Sequence, residues 1–132
     1  MTLRENMDPL YKEHILEHYK YPRNRGSLDK PDITYKDFNP LCGDEVQIDL
    51  HIKDNKVEEV RFQAKGCAIA QAATSMLTEM IEGKTLDEVK KIGKQEILEE
   101  LGLELGPVRL KCALLCLKVL KGGVYGIKEW PT

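Results

Sequence analysis

The stretch VQIDLHIKDNKVEEVRFQAKGCAIAQAATSMLTEMIEG, residues 46–83, changes its period partway along. Val46, Ile48, Leu50 and Ile52 alternate with Gln47, Asp49, His51 and Lys53, the spacing of a strand with one buried face. Asp54-Asn55 marks a tight turn, and Val57, Val60 and Phe62 continue the apolar set, so the first half predicts an antiparallel hairpin. After Gly66 the pattern turns helical. Ala68 to Glu82 is rich in Ala, Met and Gln, with Ala72, Met76, Met80 and Ile81 along one side and Gly83 as the stop.

Working outward, Ile33–Phe38 reads as a further strand before the hairpin. Nearer the start, Asp8 is a candidate N-cap with Pro9 at the first helical position. Leu10, His14, Ile15, His18 and Tyr19 carry a helix to about Lys20, where Tyr21-Pro22 ends it. PRNRGSLDKPD, residues 22–32, is a loop by its Pro, Gly, Asn and Asp content. On the other side, Thr85-Leu-Asp-Glu has the form of a capping box, and a short helix is expected over about 94–101. Gly106-Pro107 starts a last helix from Val108 to about Lys121, closed by Gly122-Gly123, with VYGIKEWPT as an irregular tail. Helix, three strands, then helices makes an α+β chain with helices packed on one face of a small antiparallel sheet.

The length of 132 residues suits a single domain over 1–132. Hydrophobic residues at 42% and charged residues at 32% describe a globular chain. A formal net charge of -2 argues against nucleic acid or an anionic membrane as partner. No apolar run approaches the ~18 residues of a membrane span. MTLRENMDPLYKEHILEHY carries charges throughout and lacks the apolar core of a signal peptide. A cytoplasmic location is therefore expected, where thiols are normally reduced.

That expectation bears on Cys42, Cys67, Cys112 and Cys116, none of which forms a C-x-x-C pair. Dispersed cysteines in a reducing compartment serve as metal ligands, reactive thiols or core fillers rather than bridges. Cys42 falls in the turn entering the second strand, Cys67 where the third strand meets the long helix, and Cys112 early in the last helix. Junctions of this kind are where functional groups are held. A helix N-terminus lowers a thiol's pKa, and Cys67 has that setting. Asp44 completes a four-ligand set with the three thiols. Gly43, free to turn left-handed, lets Cys42 and Asp44 converge. Three Cys and one Asp suit tetrahedral zinc, and the thiolates also suit iron–sulfur species.

A lysine amine must lose a proton before it binds a metal, so the simpler role for Lys111 is a charge that favours the Cys112 thiolate; Arg109 could do the same or bind a partner's acid. Each residue also has a plainer reading. Any single cysteine is more often a small buried hydrophobe, and Cys116, one turn after Cys112 in ALLCL, is best read so. Asp44 alone could be a turn residue. His14 and His18 share a helix face but lack a third ligand nearby in sequence, and His51 faces solvent. A purely structural zinc domain and an open-site zinc hydrolase with Glu45 as base are the remaining alternatives; strand alternation points Glu45 away from Asp44.

Taken together, NPLCGD at 39–44, FQAKGCAIAQAATSMLTEMIEGKT at 62–85 and GPVRLKCALLCLKVL at 106–120 resemble the U-type iron–sulfur cluster assembly scaffolds, found also as the N-terminal domain of the nitrogen-fixation scaffold. YKEHILEHYKYPRNRGSL at 11–28 resembles that family's opening helix and loop. The resemblance implies a three-stranded antiparallel sheet with helices on one side. It implies that Cys42, Cys67 and Cys112 hold iron and sulfide as a [2Fe–2S] cluster, or zinc in the isolated protein, with Asp44 as ligand or release gate. A cysteine desulfurase would deliver persulfide sulfur to one of the three thiols. Apo iron–sulfur proteins would receive the cluster, and frataxin or ferredoxin are further partners of such scaffolds.

Two departures stand out. Lys111 occupies the place where the housekeeping type carries His, and LGPVRLK at 105–111 replaces its Leu-Pro-Pro-Val-Lys chaperone-binding stretch, so recognition by the specialised Hsp70 is not carried over. Arg109, Lys111 and Cys112 instead resemble the zinc-dependent sulfur-transfer type, although the interval from Cys67 to Cys112 has the shorter scaffold length.

Overall fold

The computed structural model describes residues 13–41, 43–102 and 104–131. The expected helix start at Asp8-Pro9 lies outside them. Along the described chain run α1 (Glu13–Lys20), β1 (Ile33–Asn39), β2 (Asp44–Lys53), β3 (Lys56–Lys65), α2 (Ala68–Ile81), α3 (Leu86–Lys90), α4 (Lys94–Leu101) and α5 (Pro107–Tyr125). The strands pair antiparallel in the order β1-β2-β3. Alternation sets the faces: Val46, Ile48 and Leu50 of β2 and Val60, Phe62 and Ala64 of β3 are buried under the helices, while Glu45, Gln47, Gln63 and Lys65 point outward. The α+β reading and the three-stranded sheet hold.

Helix α2 is the centre of the helical layer, in contact with α1, α5 and β3. Most of its residues are buried, from Ile69 through Thr78 to Ile81, as expected for a helix surrounded by other elements. Ser75 and Thr78 face the loop that precedes β1. The Arg23 N–H donates to Ser75 Oγ at 2.9 Å and Asn24 Nδ2 donates to Thr78 Oγ1 at 3.1 Å. The same loop caps the free edge of β3, where the Phe62 N–H donates to the Asn24 carbonyl and the Gly26 N–H to the Phe62 carbonyl, each at 2.9 Å. The Thr85 capping box is present in both directions, to and from Glu88.

The end of α5 differs from expectation. Gly122-Gly123 does not close the helix, which continues to Tyr125 and is capped by Gly126 at φ 70°. The reason is packing against β1. A Cβ on Gly122 would sit 2.8 Å from Tyr35 Cε2, and one on Gly123 would sit 2.9 Å from Tyr35 Cβ. The glycine pair is a notch that seats α5 on the Tyr35 ring, not a helix terminator.

Candidate metal centre

Three elements each deliver one side chain to the same end of the sheet. Asp44 opens β2, Cys67 is the N-cap of α2, and Cys112 lies in the second turn of α5. One carboxylate oxygen and the two sulfurs lie within 4.8 Å of one another. Zinc–sulfur bonds of about 2.3 Å put tetrahedral sulfurs about 3.8 Å apart, so small side-chain rotations would bring all three donors onto one ion. Asp44 and Cys112 are buried and Cys67 is half-buried, which leaves the centre approachable from the Cys67 side. Cys42, the remaining member of the expected set, lies outside the described residues.

Strand register explains why Asp44 meets Cys67. Glu45 pairs with Lys65 at the end of the β2–β3 ladder, so the next residue on each strand, Asp44 and Gly66, meet just beyond it. Gly66 has φ 120°, and a Cβ there would lie 2.1 Å from Asp44 Oδ1 and 2.9 Å from Asp44 Cα. Only glycine admits the carboxylate so close. The carboxylate then spans both donors of the next residue. Oδ1 accepts the Cys67 backbone N–H at 2.9 Å, and Oδ2 accepts the Cys67 thiol at 3.5 Å. The Ala70 N–H in turn donates to Cys67 Sγ at 3.4 Å.

The electrostatics of Cys67 reverse one expectation. It does occupy the helix N-terminus, but its pKa is raised, not lowered. Burial is the largest cause and outweighs the Ala70 N–H; the Asp44 charge adds to the rise, while a hydrogen bond with Cys112 opposes it. The helix end is present, but removal from water and a carboxylate next door dominate it.

The approach to β2 is fixed by a residue that sequence reasoning passed over. Asn39 is fully buried; its side-chain Oδ1 accepts the Leu41 N–H at 3.1 Å and its carbonyl accepts the Gly43 N–H at 2.8 Å. Gly43 takes φ 74°, the left-handed turn expected of it. An Asn before Pro40 is a turn signal, and the Asx-type bond to Leu41 is what it becomes here. Gly66 was likewise missed: its signal lay in the strand–helix junction KGC, not in CGD.

The two basic residues near Cys112 are placed as follows. Arg109 is half-buried in the first turn of α5. The Lys111 ammonium lies over the ring of Trp130, 5.5 Å from its centroid. Cys116 stands apart from the group: it is 1% exposed, its thiol donates to the Ala113 carbonyl at 3.5 Å, and burial pushes its pKa up to about 12. The histidines serve packing. His14 Nε2 bonds the Leu101 carbonyl at 2.8 Å, His18 Nδ1 meets Ser75 Oγ at 2.7 Å, and His51 Nε2 bonds the Asp29 carbonyl at 2.9 Å. Exposed apolar side chains stand on segments that lead into the centre: Phe38 one residue before the end of β1, Leu41 in the following turn, and Val108 at the start of α5. Among the described residues no helix is long and apolar enough to cross a membrane.

Compared with known proteins, residues 10–131 match the NifU-like N-terminal domain. The chain is 37% identical over 126 residues to the "Iron-sulfur cluster assembly enzyme IscU" of Drosophila melanogaster, covering 91% of this chain and 80% of that protein. It is 36% identical to the "Iron-sulfur cluster assembly scaffold protein IscU" of Escherichia coli, covering 90% and 94%. It is 34% identical to the "Zinc-dependent sulfurtransferase SufU" of Bacillus subtilis, covering 94% and 95%. Among solved structures it is similar to a putative iron-sulfur cluster assembly scaffold protein for the SUF system from Fervidobacterium islandicum, with TM-score 0.74, 28% identity and 86% and 96% of the two chains covered.

Proposed function

The chain belongs to the NifU-like N-terminal domain family, and from that premise we propose that it is a scaffold on which an iron–sulfur cluster is assembled from iron and desulfurase-derived sulfur, then handed to apo-proteins. The observation that carries this reading is the convergence of Asp44, Cys67 and Cys112 to within 4.8 Å at a centre half-open to solvent. In this reading Cys42 supplies the third thiol. Thiolates bind iron and sulfide clusters, whereas a carboxylate is a harder and weaker partner for them. A ligand set of three thiols and Asp44 therefore favours a cluster held loosely enough to leave, which suits a carrier of cargo better than an electron-transfer protein. Phe38, Leu41 and Val108 offer an apolar rim for a cysteine desulfurase or an acceptor protein to dock against. The cytoplasm is the expected site of this work.

The residues also fit zinc, which the two thiols and carboxylate would hold together with Cys42; bound there, it would keep the thiols deprotonated. A second reading follows: a zinc-dependent sulfur acceptor. It is favoured by the likeness of Arg109, Lys111 and Cys112 to the sulfur-transfer pattern and by the half-buried position of Cys67, the more accessible of the two thiols of the group among the described residues. In it, the Cys67 thiolate attacks the terminal sulfur of the desulfurase persulfide, a new S–S bond forms on Cys67, and the desulfurase cysteine leaves as thiolate with the electron pair.

Anaerobic reconstitution with Fe²⁺, cysteine and a cysteine desulfurase, on protein of known metal content, separates the two. A labile visible chromophore that passes to apo-ferredoxin is the expected result. Tightly held zinc, no chromophore and faster desulfurase turnover would transfer the assignment to the sulfur acceptor. Asp44→Ala is expected to lengthen the lifetime of the reconstituted cluster; a shortened lifetime would remove the release role given to Asp44.

A further inference from the structure

After α5 the chain places the Trp130 ring between two lysines of that helix. Lys111 Nζ lies 5.5 Å and Lys118 Nζ 5.3 Å from the centroid of Trp130. Both fall inside the ~6 Å over which a π-face attracts a cation. The two lysines are two helical turns apart and share one face of α5. Lys118 is itself tied to the sheet by an ion pair with Asp37 of β1. Burial works against charge on that carboxyl, but the Lys118 hydrogen bond and the Phe38 N–H hold its pKa below the usual value. Trp130 also packs partly buried against the core. The ring is therefore a fixed seat, braced through Lys118 to the sheet.

Lys111 directly precedes Cys112. Successive Cα atoms are about 3.8 Å apart, and a lysine stem is long enough to swing its ammonium to either side of its own backbone. One side is the Trp130 ring. Cys112, the chain neighbour of Lys111, belongs to a competing destination, the group with Asp44 and Cys67, a carboxylate and two thiols that must be anionic to hold a metal. An ammonium placed there would pair with the very charges the metal needs.

We propose that Trp130 is a positioning residue of the metal centre: its ring keeps the Lys111 ammonium off Asp44, Cys67 and Cys112 and so leaves their anionic groups to the metal. The inference rests on the metal-centre reading of those three residues. It assigns the tail a task at the centre although Trp130 donates no ligand. It also makes Lys118 and Asp37 the brace that holds the seat in place.

The test compares zinc dissociation constants, by chelator competition, in wild type, Trp130→Ala, Trp130→Phe and the double variant Trp130→Ala/Lys111→Met, with thermal melts of the metal-free proteins to confirm folding. Trp130→Ala is expected to weaken zinc binding about 2- to 5-fold, the scale of one exposed cation–π contact. Trp130→Phe keeps a π-face and retains most of the affinity, and adding Lys111→Met to Trp130→Ala restores it. Trp130 is the single tryptophan of the chain, so its emission reads the ring–ammonium contact without metal, and Lys111→Met is expected to change it. Equal zinc affinity in wild type and Trp130→Ala, a loss that Lys111→Met fails to rescue, or emission unmoved by Lys111→Met would overturn the role given to the ring. A wild-type chain that takes up no zinc would overturn the metal-centre reading as well.

Discussion

Cys112 and Cys116 sit one turn apart on α5, and both are buried, at 4% and 1% exposure. Chemically they have opposite prospects. Cys112 shares its end of the helix with Asp44 and Cys67. Cys116 is surrounded by core, with its thiol donating to the Ala113 carbonyl and its pKa pushed up to about 12 by burial. Burial alone thus does not make a ligand; convergence with other donors does. A turn of helix separates a position that meets the ends of β2 and α2 from one that meets Thr74 in the interior of α2.

The widest gap between the two cysteines should appear in metal binding. Loss of a partner outside the coordination shell typically costs 10- to 100-fold in metal affinity, so Cys112→Ala, which removes a donor, is expected to weaken zinc binding by about 100-fold or more. Cys116→Ala should leave it within about two-fold in the same chelator competition, since Cys116 lies outside the group. Comparable losses in both would erase the distinction.

Next in size is Gly66→Ala. A methyl group 2.1 Å from Asp44 Oδ1, on a backbone at φ 120°, must push the carboxylate away. The cost is about 2–3 kcal/mol, read as a thermal midpoint lower by roughly 6–12 °C, together with weaker zinc binding. A variant that melts like wild type would show that Asp44 has room to spare.

Thiol chemistry gives a third contrast. In folded, metal-free protein at pH 8, a thiol with a pKa of about 12 is almost wholly protonated and Cys116 is enclosed, so iodoacetamide should spare it. Cys67 has a raised pKa too, but it is half-buried, and peptide mapping should find it labelled about ten-fold faster or more. Because its pKa lies above the ordinary value, its labelling rate should keep climbing as pH rises past 9. The smallest effect is on stability. Cys116→Ala removes one buried sulfur, worth about 1 kcal/mol, or about 2–4 °C in the melt.

Much of this was legible in residues 46–83. The switch from period two to helical period at Gly66 placed β2, β3 and α2 with little error, because each element has one face that must be dry. The junction position of Cys67 followed from the same switch, and that of Cys112 from the Gly106-Pro107 break. What the residues alone did not reveal depended on partners distant in sequence. Gly66 looks like an ordinary strand terminator until the Glu45–Lys65 register brings Asp44 alongside it. Gly122-Gly123 looks like a helix stop until Tyr35 is seen against it. The sign of the Cys67 pKa shift was misjudged for the same reason: the helix N-terminus is local and readable, whereas burial is a property of the assembled fold.

The seat of α5 on Tyr35 has a consequence for the order in which the centre comes together. Asp44 and Cys67 are joined through a hairpin closed by Asp54-Asn55, a local structure of the kind that forms in microseconds. Cys112 arrives from much further along the chain, on a helix whose approach to β1 is set at its opposite end by the Gly122–Gly123 notch. Long-range contacts of this kind close later, after more loop entropy has been lost. The expected order is that the first two donors pair early in folding and the third follows when a glycine pair three turns away finds its tyrosine. Enlarging either glycine would delay completion of the centre while leaving its first half intact.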